Sequence, residues 1–479
     1  MKVLVISTNR NSLPVPVMPA GACIVAEAAE RAGHKANLLD LMFEQNPLRA
    51  VAQEIGRMRP DVVGLSVRNI DNNDIRNPVF FIGDVPPLIT AIHAETDAPI
   101  VLGGAAIAVM PEEIMRAAGT TCAVTGDGET VFPELLRNLS NDGLRMQTPG
   151  AAWIENNAFR KNPPSSGGAP YNCPAPDFER WIDTKAYLSQ LAAVPLQTKL
   201  GCHFQCVYCT YRKIEGACYR LFALESVFDA VSRYASSGLR DIEFVDNVFN
   251  SPPDHALRLC EGLARLRAAL KVDVRFQSLE LNPLFVDDAL ISLMEKAGFS
   301  GIGITLESAS NRVLAGLRKG FTADEVFRTA EVVRRHRLPC VWIFMLGGPG
   351  ETEATVRETL RFAEKTLRPQ DVAFFNLGVR VYPGTELEAI ARAQGLLSLS
   401  HAEMLPPVFY LSPGLRLEWI EEQVKKAMGS HMNIINSDSI GIPFLPSIHR
   451  IGYRLGIRPP LWRHTRIIRR MLRALRIYR

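Results

Sequence analysis

Two stretches of the chain alternate short, β-rich apolar runs with amphipathic helical segments, and that alternation narrows the fold more than any other feature. In the first stretch Lys2–Ser7, Lys35–Leu41, Asp61–Val67, Pro99–Leu102 and Cys122–Thr125 read as strands. Between them Pro19–Gly33, Pro47–Met58, Val85–Glu95, Pro111–Ala118 and Val131–Leu139 have helical spacing, the first ending at a glycine. Strands separated by helices pair in parallel and are covered on both faces. Residues 1–140 are therefore expected to form an α/β domain with a doubly wound parallel sheet. Ligands of such sheets bind beyond the carboxyl ends of the strands.

Glycines and polar residues gather at three of these ends: Ser66-Val67-Arg68-Asn69-Ile70-Asp71-Asn72, Gly103-Gly104-Ala105-Ala106 and Thr125-Gly126-Asp127-Gly128-Glu129-Thr130. Glycine there lets the backbone approach a bulky ligand; its plainer use is to make the strand-to-helix turn. No G-x-G-x-x-G follows the first strand, which argues against a nicotinamide dinucleotide.

The second stretch opens on Gly201-Cys202-His203-Phe204-Gln205-Cys206-Val207-Tyr208-Cys209, a C-x3-C-x2-C. Three thiolates on one short loop can hold three irons of a cubane cluster and leave the fourth iron open to a substrate-like ligand. Zinc normally takes four ligands in two pairs. No second C-x2-C exists, and His203, the conceivable fourth ligand, sits inside the loop. Cys23, Cys122, Cys173, Cys218, Cys260 and Cys340 are scattered, and fit an intracellular protein that does not rely on disulfides. Leu196–Lys199 leads into the loop. Strands are expected at Asp241–Val245, Val272–Leu279, Gly301–Leu306, Cys340–Leu346 and Asp371–Val381, with helices between them.

With Tyr208 just before its third cysteine, this loop resembles that of the radical S-adenosylmethionine (radical SAM) superfamily. Further landmarks recur in order: the Glu307-Ser308 pair, the Gly347-Gly348-Pro349-Gly350-Glu351 turn and the Pro383-Gly384-Thr385-Glu386-Leu387 turn. The resemblance implies a partial (β/α)6 barrel over residues 196–387. It also implies a 4Fe–4S cluster on Cys202, Cys206 and Cys209, with SAM on the open iron and Tyr208 near the adenine. Glu307 and Ser308 become candidates for SAM amino and ribose contacts. Asp246, Glu280 and Arg380 are weaker candidates at strand ends, where βα barrels carry their chemistry.

A doubly wound domain joined to such a barrel by a bridge over 141–195 resembles the cobalamin-binding class of that superfamily. It places the cobalamin nucleotide tail at Gly103, Gly104, Gly126, Gly128 and Glu129. The D-x-H-x-x-G that supplies an imidazole to cobalt is absent, and neither His34 nor His93 has Asp two residues before it. Cobalamin is therefore expected base-off, without a histidine lower ligand. The Ser66-Val67-Arg68-Asn69 strand end resembles the subgroup containing tryptophan 2-C-methyltransferase, in which an arginine lies near that face. Arg68 takes that role by resemblance; a salt-bridged strand-end arginine is the alternative. A guanidinium is a donor only and cannot coordinate a metal.

The resemblance implies a methyltransferase that methylates a carbon of a small-molecule, lipid or natural-product substrate through methylcobalamin. An electron donor such as flavodoxin or ferredoxin would serve it. A radical cyclase or rearrangement enzyme, and a non-enzymatic cobalamin sensor, are the alternatives.

Residues 388–479 are expected to form a mainly helical C-terminal region. Residues 441–479 hold ten arginines and no acid, against a net charge of only +4 for all 479 residues. In Trp462–Arg479, Trp462, Ile468, Met471, Leu472, Leu475 and Tyr478 gather toward one side, and Arg463, Arg466, Arg470 and Arg473 toward the other. That is the pattern of an interfacial basic helix. It suits either peripheral membrane contact or docking on the barrel with the arginines in solvent. No nucleic-acid partner is expected. No apolar run reaches a membrane span, and the N-terminus turns polar too soon for a signal peptide, so a cytoplasmic protein is expected.

Overall fold

A computed structural model describes residues 1–139, 141–164, 172–437 and 444–474. The first domain is built on β1 (Lys2–Ser7), β2 (Lys35–Asp40), β3 (Val62–Ser66), β4 (Ile100–Gly103) and β5 (Cys122–Val124), in spatial order 2-1-3-4-5 and all parallel. β1 is an interior, apolar strand, so both of its faces are buried under helices. The helix Pro47–Met58 shows how locally these elements are specified. Asn46 accepts the Arg49 amide at 3.1 Å, Pro47 occupies the first turn, and Arg59 in the left-handed region ends it.

The bridge expected over 141–195 adds two antiparallel strands to this sheet, β6 (Ala151–Glu155) and β7 (Ala158–Lys161). Asn156 and Asn157 join them with φ of 48° and 64°, the pair of positive φ values that a tight hairpin turn needs. Part of the turn-rich stretch Asn162–Ala175 lies outside the described residues.

The barrel sheet has the order β18-β15-β14-β13-β12-β11-β8, all parallel. Its strands are β8 (Val194–Leu196), β11 (Asp241–Phe244), β12 (Arg275–Leu281), β13 (Phe299–Glu307), β14 (Cys340–Leu346), β15 (Val372–Leu377) and β18 (Ile434–Asn436). Two short strands, β9 (Lys199–Leu200) and β10 (Arg220–Leu221), frame the cysteine loop as an antiparallel pair. Two details differ from expectation. The last expected strand stops at Leu377, because Gly378 turns the chain with φ 68°; β16 (Val379–Arg380) then pairs antiparallel with β17 (Phe409–Tyr410). The C-terminal region is also not only helical, for β18 supplies the seventh strand.

Residues 458–474 cross the N-terminal end of the barrel. Arg458 binds Asp241 and Asp273 at 3.0 and 2.7 Å. The Trp462 ring fills the space that a side chain at Gly301 would need. The helix Thr465–Ala474 then docks through Arg469, whose guanidinium is buried on the carbonyls of Met432 and Ile434. Ile467 and Met471 face solvent beside exposed Arg470. The expected apolar and basic faces are therefore not cleanly separated. Leu475 and Tyr478 lie outside the described residues. Among the described residues no helix is long and apolar enough to cross a membrane.

Side-chain contacts hold the two sheets together around the space between their carboxyl ends. Asp127 pairs with Arg220, Asp71 with Arg380 at 2.9 Å, and Arg76 with Glu421 at 2.6 Å.

Candidate functional site

The cysteine loop leaves β9 through Gly201, which has φ 85°; a Cβ there would lie 2.1 Å from the Cys218 carbonyl oxygen. Only glycine lets the chain turn this tightly against that carbonyl. The Gly201 amide donates to Glu215 Oε2 at 3.0 Å and the Cys202 amide to the Gly216 carbonyl at 3.2 Å, so both ends of the loop are pinned. Cys202 is buried and Cys206 and Cys209 are half-buried. Burial pushes the Cys209 thiol up to about 12. Thiols in such a setting become thiolates chiefly by giving their protons up to a metal. Three of them, with a buried ammonium nearby to balance charge, suit an iron–sulfur cluster.

That ammonium is Lys319, which the sequence reading did not single out. Its Nζ donates to Glu307 Oε1 at 3.0 Å and to Tyr208 Oη at 3.2 Å, and Tyr208 Oη donates to the same Glu307 oxygen at 2.7 Å. Burial works against its charge, but Glu307 and the neighbouring cysteines hold its pKa above the ordinary value. Glu307 adopts φ 63° where the pairing of β13 with β14 shifts register. A left-handed glutamate costs about 1–3 kcal/mol and persists only where its surroundings enforce it.

Ser308 is fully buried and its hydroxyl lies 3.0 Å from Thr359 Oγ1, on the helix Glu353–Thr366. It also accepts the Ser310 amide, so it braces the turn. Two weaker candidates are likewise structural. Asp246 is buried and accepts the Thr198 amide and hydroxyl and Lys199 Nζ. Arg380 is buried against Asp71 and carbonyls of residues 404 and 405.

Glu280 remains in the site. Burial, reinforced by Glu307 and Glu243 and opposed by Lys319, raises its pKa to about 8. Glu243 accepts Gln277 Nε2 at 3.0 Å, and burial raises its pKa as well. Arg68, just past β3, is exposed and forms no ion pair among the described residues. Its positive charge partly offsets the upward pKa shifts of Glu243 and Tyr211.

Beyond the carboxyl ends of β3, β4 and β5 lies a cavity of about 220 Å³. Ser66, Gly103, Gly104, Gly126, Gly128 and Glu129 line it, whereas Asn69 does not. A Cβ on Gly103 would enter open space, and one on Gly104 would meet the Val67 carbonyl at 2.5 Å. The barrel closes the cavity with Gln197, Leu200, Ile214 and Glu215, the same short segments that carry the cysteine loop. No histidine is among its described lining residues. A long, flexible ligand tail fits such a glycine-walled slot.

Comparison with known proteins agrees with this layout. Residues 6–136 match the B12 binding domain and residues 197–363 the radical SAM superfamily. An uncharacterized methyltransferase of Pyrococcus horikoshii is 26% identical over 387 residues, covering 79% of each chain. The tryptophan 2-C-methyltransferase of Streptomyces laurentii is 24% identical over 438 residues, covering 78% of this chain and 72% of that one. Among solved structures, the radical SAM methyltransferase TsrM from Kitasatospora setae, with cobalamin and a [4Fe-4S] cluster bound, aligns with a TM-score of 0.85. It is 23% identical, and 99% of each chain is covered. Fold and site thus define an enzyme that sets a B12-binding domain against a radical SAM barrel. The chain joins a domain matching the B12 binding domain to one matching the radical SAM superfamily.

Proposed function

We propose that this chain is a cobalamin-dependent radical SAM methyltransferase acting on a carbon of a small-molecule substrate. One observation carries the reading: Leu200, Ile214 and Glu215, which bracket the cysteine loop, also wall the cobalamin cavity, so both cofactors open onto one space. When bound, the cluster supplies an electron to SAM, and the corrinoid carries a methyl group between SAM and the substrate. Cys202, Cys206 and Cys209 hold the cluster. Lys319, through Glu307 and Tyr208, fixes the wall beside it and compensates thiolate charge. Gly103, Gly104, Gly126, Gly128 and Glu129 would seat the corrinoid tail, and Arg68, just past β3, would stand near the corrin without coordinating its metal. Glu243 and Glu280 would face the substrate. Electrons come from a small carrier such as flavodoxin or ferredoxin, and peripheral membrane contact through the C-terminal region belongs to the same reading.

The test is turnover with methyl-labelled SAM by anaerobically reconstituted protein. Label transferred to the corrinoid and then to an acceptor supports methyl transfer. An unlabelled, rearranged product would establish a cyclase or rearrangement enzyme instead, and corrinoid binding without SAM consumption a sensor.

A further inference from the structure

Large apolar side chains are most exposed not at the cofactor site but on the C-terminal helices. On the helix Leu445–Arg454, Ile448 and Ile451 lie three residues apart on one side, and Phe444 and Leu455 flank its two ends. Phe444 and Leu455 are each 75% exposed and Ile451 is 57% exposed. Leu445, His449 and Gly452 are buried on the neighbouring stripe, so the helix is anchored and the apolar stripe is surplus to its packing. Exposed Arg450, Tyr453 and Arg454 flank it. The helix Thr465–Ala474 repeats the arrangement, with exposed Ile467 and Met471 beside exposed Arg470 and half-buried Arg466 and Arg473.

We infer that this surface is a docking site for a bilayer rich in anionic phospholipid. The inference deepens the peripheral-contact part of the functional reading and rests on it. Apolar side chains ringed by arginine match a membrane interface, where the side chains enter the acyl boundary and the guanidinium groups meet phosphates. The charge argues against the last five residues as a cover. Residues 475–479 would add Arg476 and Arg479 to a segment that already lacks acids. The site also lies away from the chemistry. Arg458 and Trp462, between the two helices, sit against Asp241 and Gly301 at the N-terminal ends of the barrel strands. The cysteine loop stands at the opposite ends, so docking leaves the cofactor space open to a soluble substrate and electron donor.

Sedimentation of the full-length holoenzyme with phosphatidylcholine vesicles, with and without phosphatidylglycerol, tests this. Binding is expected only with phosphatidylglycerol present and is expected to weaken in high salt. The surface variant Phe444→Ser/Ile451→Ser/Leu455→Ser, and separately Arg450→Glu/Arg454→Glu, should each lower binding by about tenfold or more. Label transfer from SAM to the corrinoid, measured without vesicles, should stay at the wild-type level in both variants; this readout fails only if the methyltransferase reading fails. No binding to phosphatidylglycerol vesicles, equal binding to both vesicle types, or unaltered binding by both variants overturns the inference. So does self-association that the serine variant abolishes while vesicle binding is unaffected.

Discussion

Arg380, on the short strand after the barrel's main sheet, reaches into the first domain and binds Asp71 at 2.9 Å, with both side chains buried. The remaining guanidinium nitrogens donate to backbone carbonyls of the C-terminal region, including those of Met404 and Leu405. One side chain thus ties together three parts of the fold at the mouth of the cofactor space. Removing one partner of a buried pair leaves the other charge unpaired and costs about 3–5 kcal/mol. Asp71→Asn should lower the melting temperature and loosen the domain interface, read as protease cleavage between the domains. Unchanged melting and cleavage would show that the pair contributes nothing to docking.

Alanine at Cys202, Cys206 or Cys209 should each abolish cluster content and SAM cleavage, because three ligands leave no spare. Alanine at Cys23, Cys122, Cys173, Cys218, Cys260 or Cys340 should leave iron content intact. Iron and sulfide analysis of anaerobically reconstituted variants checks both, and full cluster content in any loop variant contradicts the ligand assignment.

What the sequence displays and what it hides differ for a physical reason. The cysteine loop and the β/α alternation are local patterns, so their positions could be read directly. Side-chain direction at a distorted strand end is not local. Glu307 and Ser308 are adjacent, yet the positive φ at Glu307 sends its carboxylate toward Tyr208 and Lys319, while Ser308 turns to Thr359. Lys319 carries no local signal, because a lysine following a short helix has no distinguishing spacing; only the tertiary fold buries it. Arg380 looked like a barrel-site residue because it follows a strand, but Gly378 had already turned the chain out of the sheet. The hairpin at Asn156-Asn157 carried a usable signal, two turn-forming residues between short β-rich runs, that the reading of this stretch as a bridge passed over.

Glu280 should make stability pH-dependent. Burial raises its folded-state pKa to about 8, well above the usual 4.5, so the folded chain holds a proton that the unfolded chain has lost. In that window the native state binds more protons, and stability must fall as pH rises from about 4.5 toward 8. Glu351, raised to about 7 by burial, adds to the same trend. Thermal melts across this range should show the decline, and Glu280→Gln, which stays neutral, should flatten part of it. An identical pH profile in the variant would mean that the Glu280 carboxylate ionises without penalty.

Cobalamin should bind base-off with no protein nitrogen on cobalt, since no histidine is among the described residues lining the cavity. Electron paramagnetic resonance of the cobalt(II) form should lack superhyperfine splitting from an axial nitrogen. A resolved nitrogen triplet would contradict this reading.

Arg68 is the sharpest remaining assignment. It follows β3 by two residues, is exposed and forms no ion pair among the described residues. Its positive charge opposes the upward pKa shifts of Glu243 and Tyr211. A guanidinium beneath cobalt acts by excluding water and by its positive charge, which disfavours oxidised cobalt. Arg68→Lys keeps the charge but loses the planar fork, so it should retain corrinoid and lose part of the turnover. Arg68→Ala admits a water ligand from below. It should bind corrinoid at near the wild-type level, change the visible spectrum, and slow methyl transfer about tenfold or more, a barrier increase of about 1.4 kcal/mol. The spectrum separates this from a structural role, because a residue that merely supported the strand end would alter corrinoid content without altering cobalt ligation. Normal turnover with an unchanged spectrum in Arg68→Ala would remove Arg68 from the cobalt site.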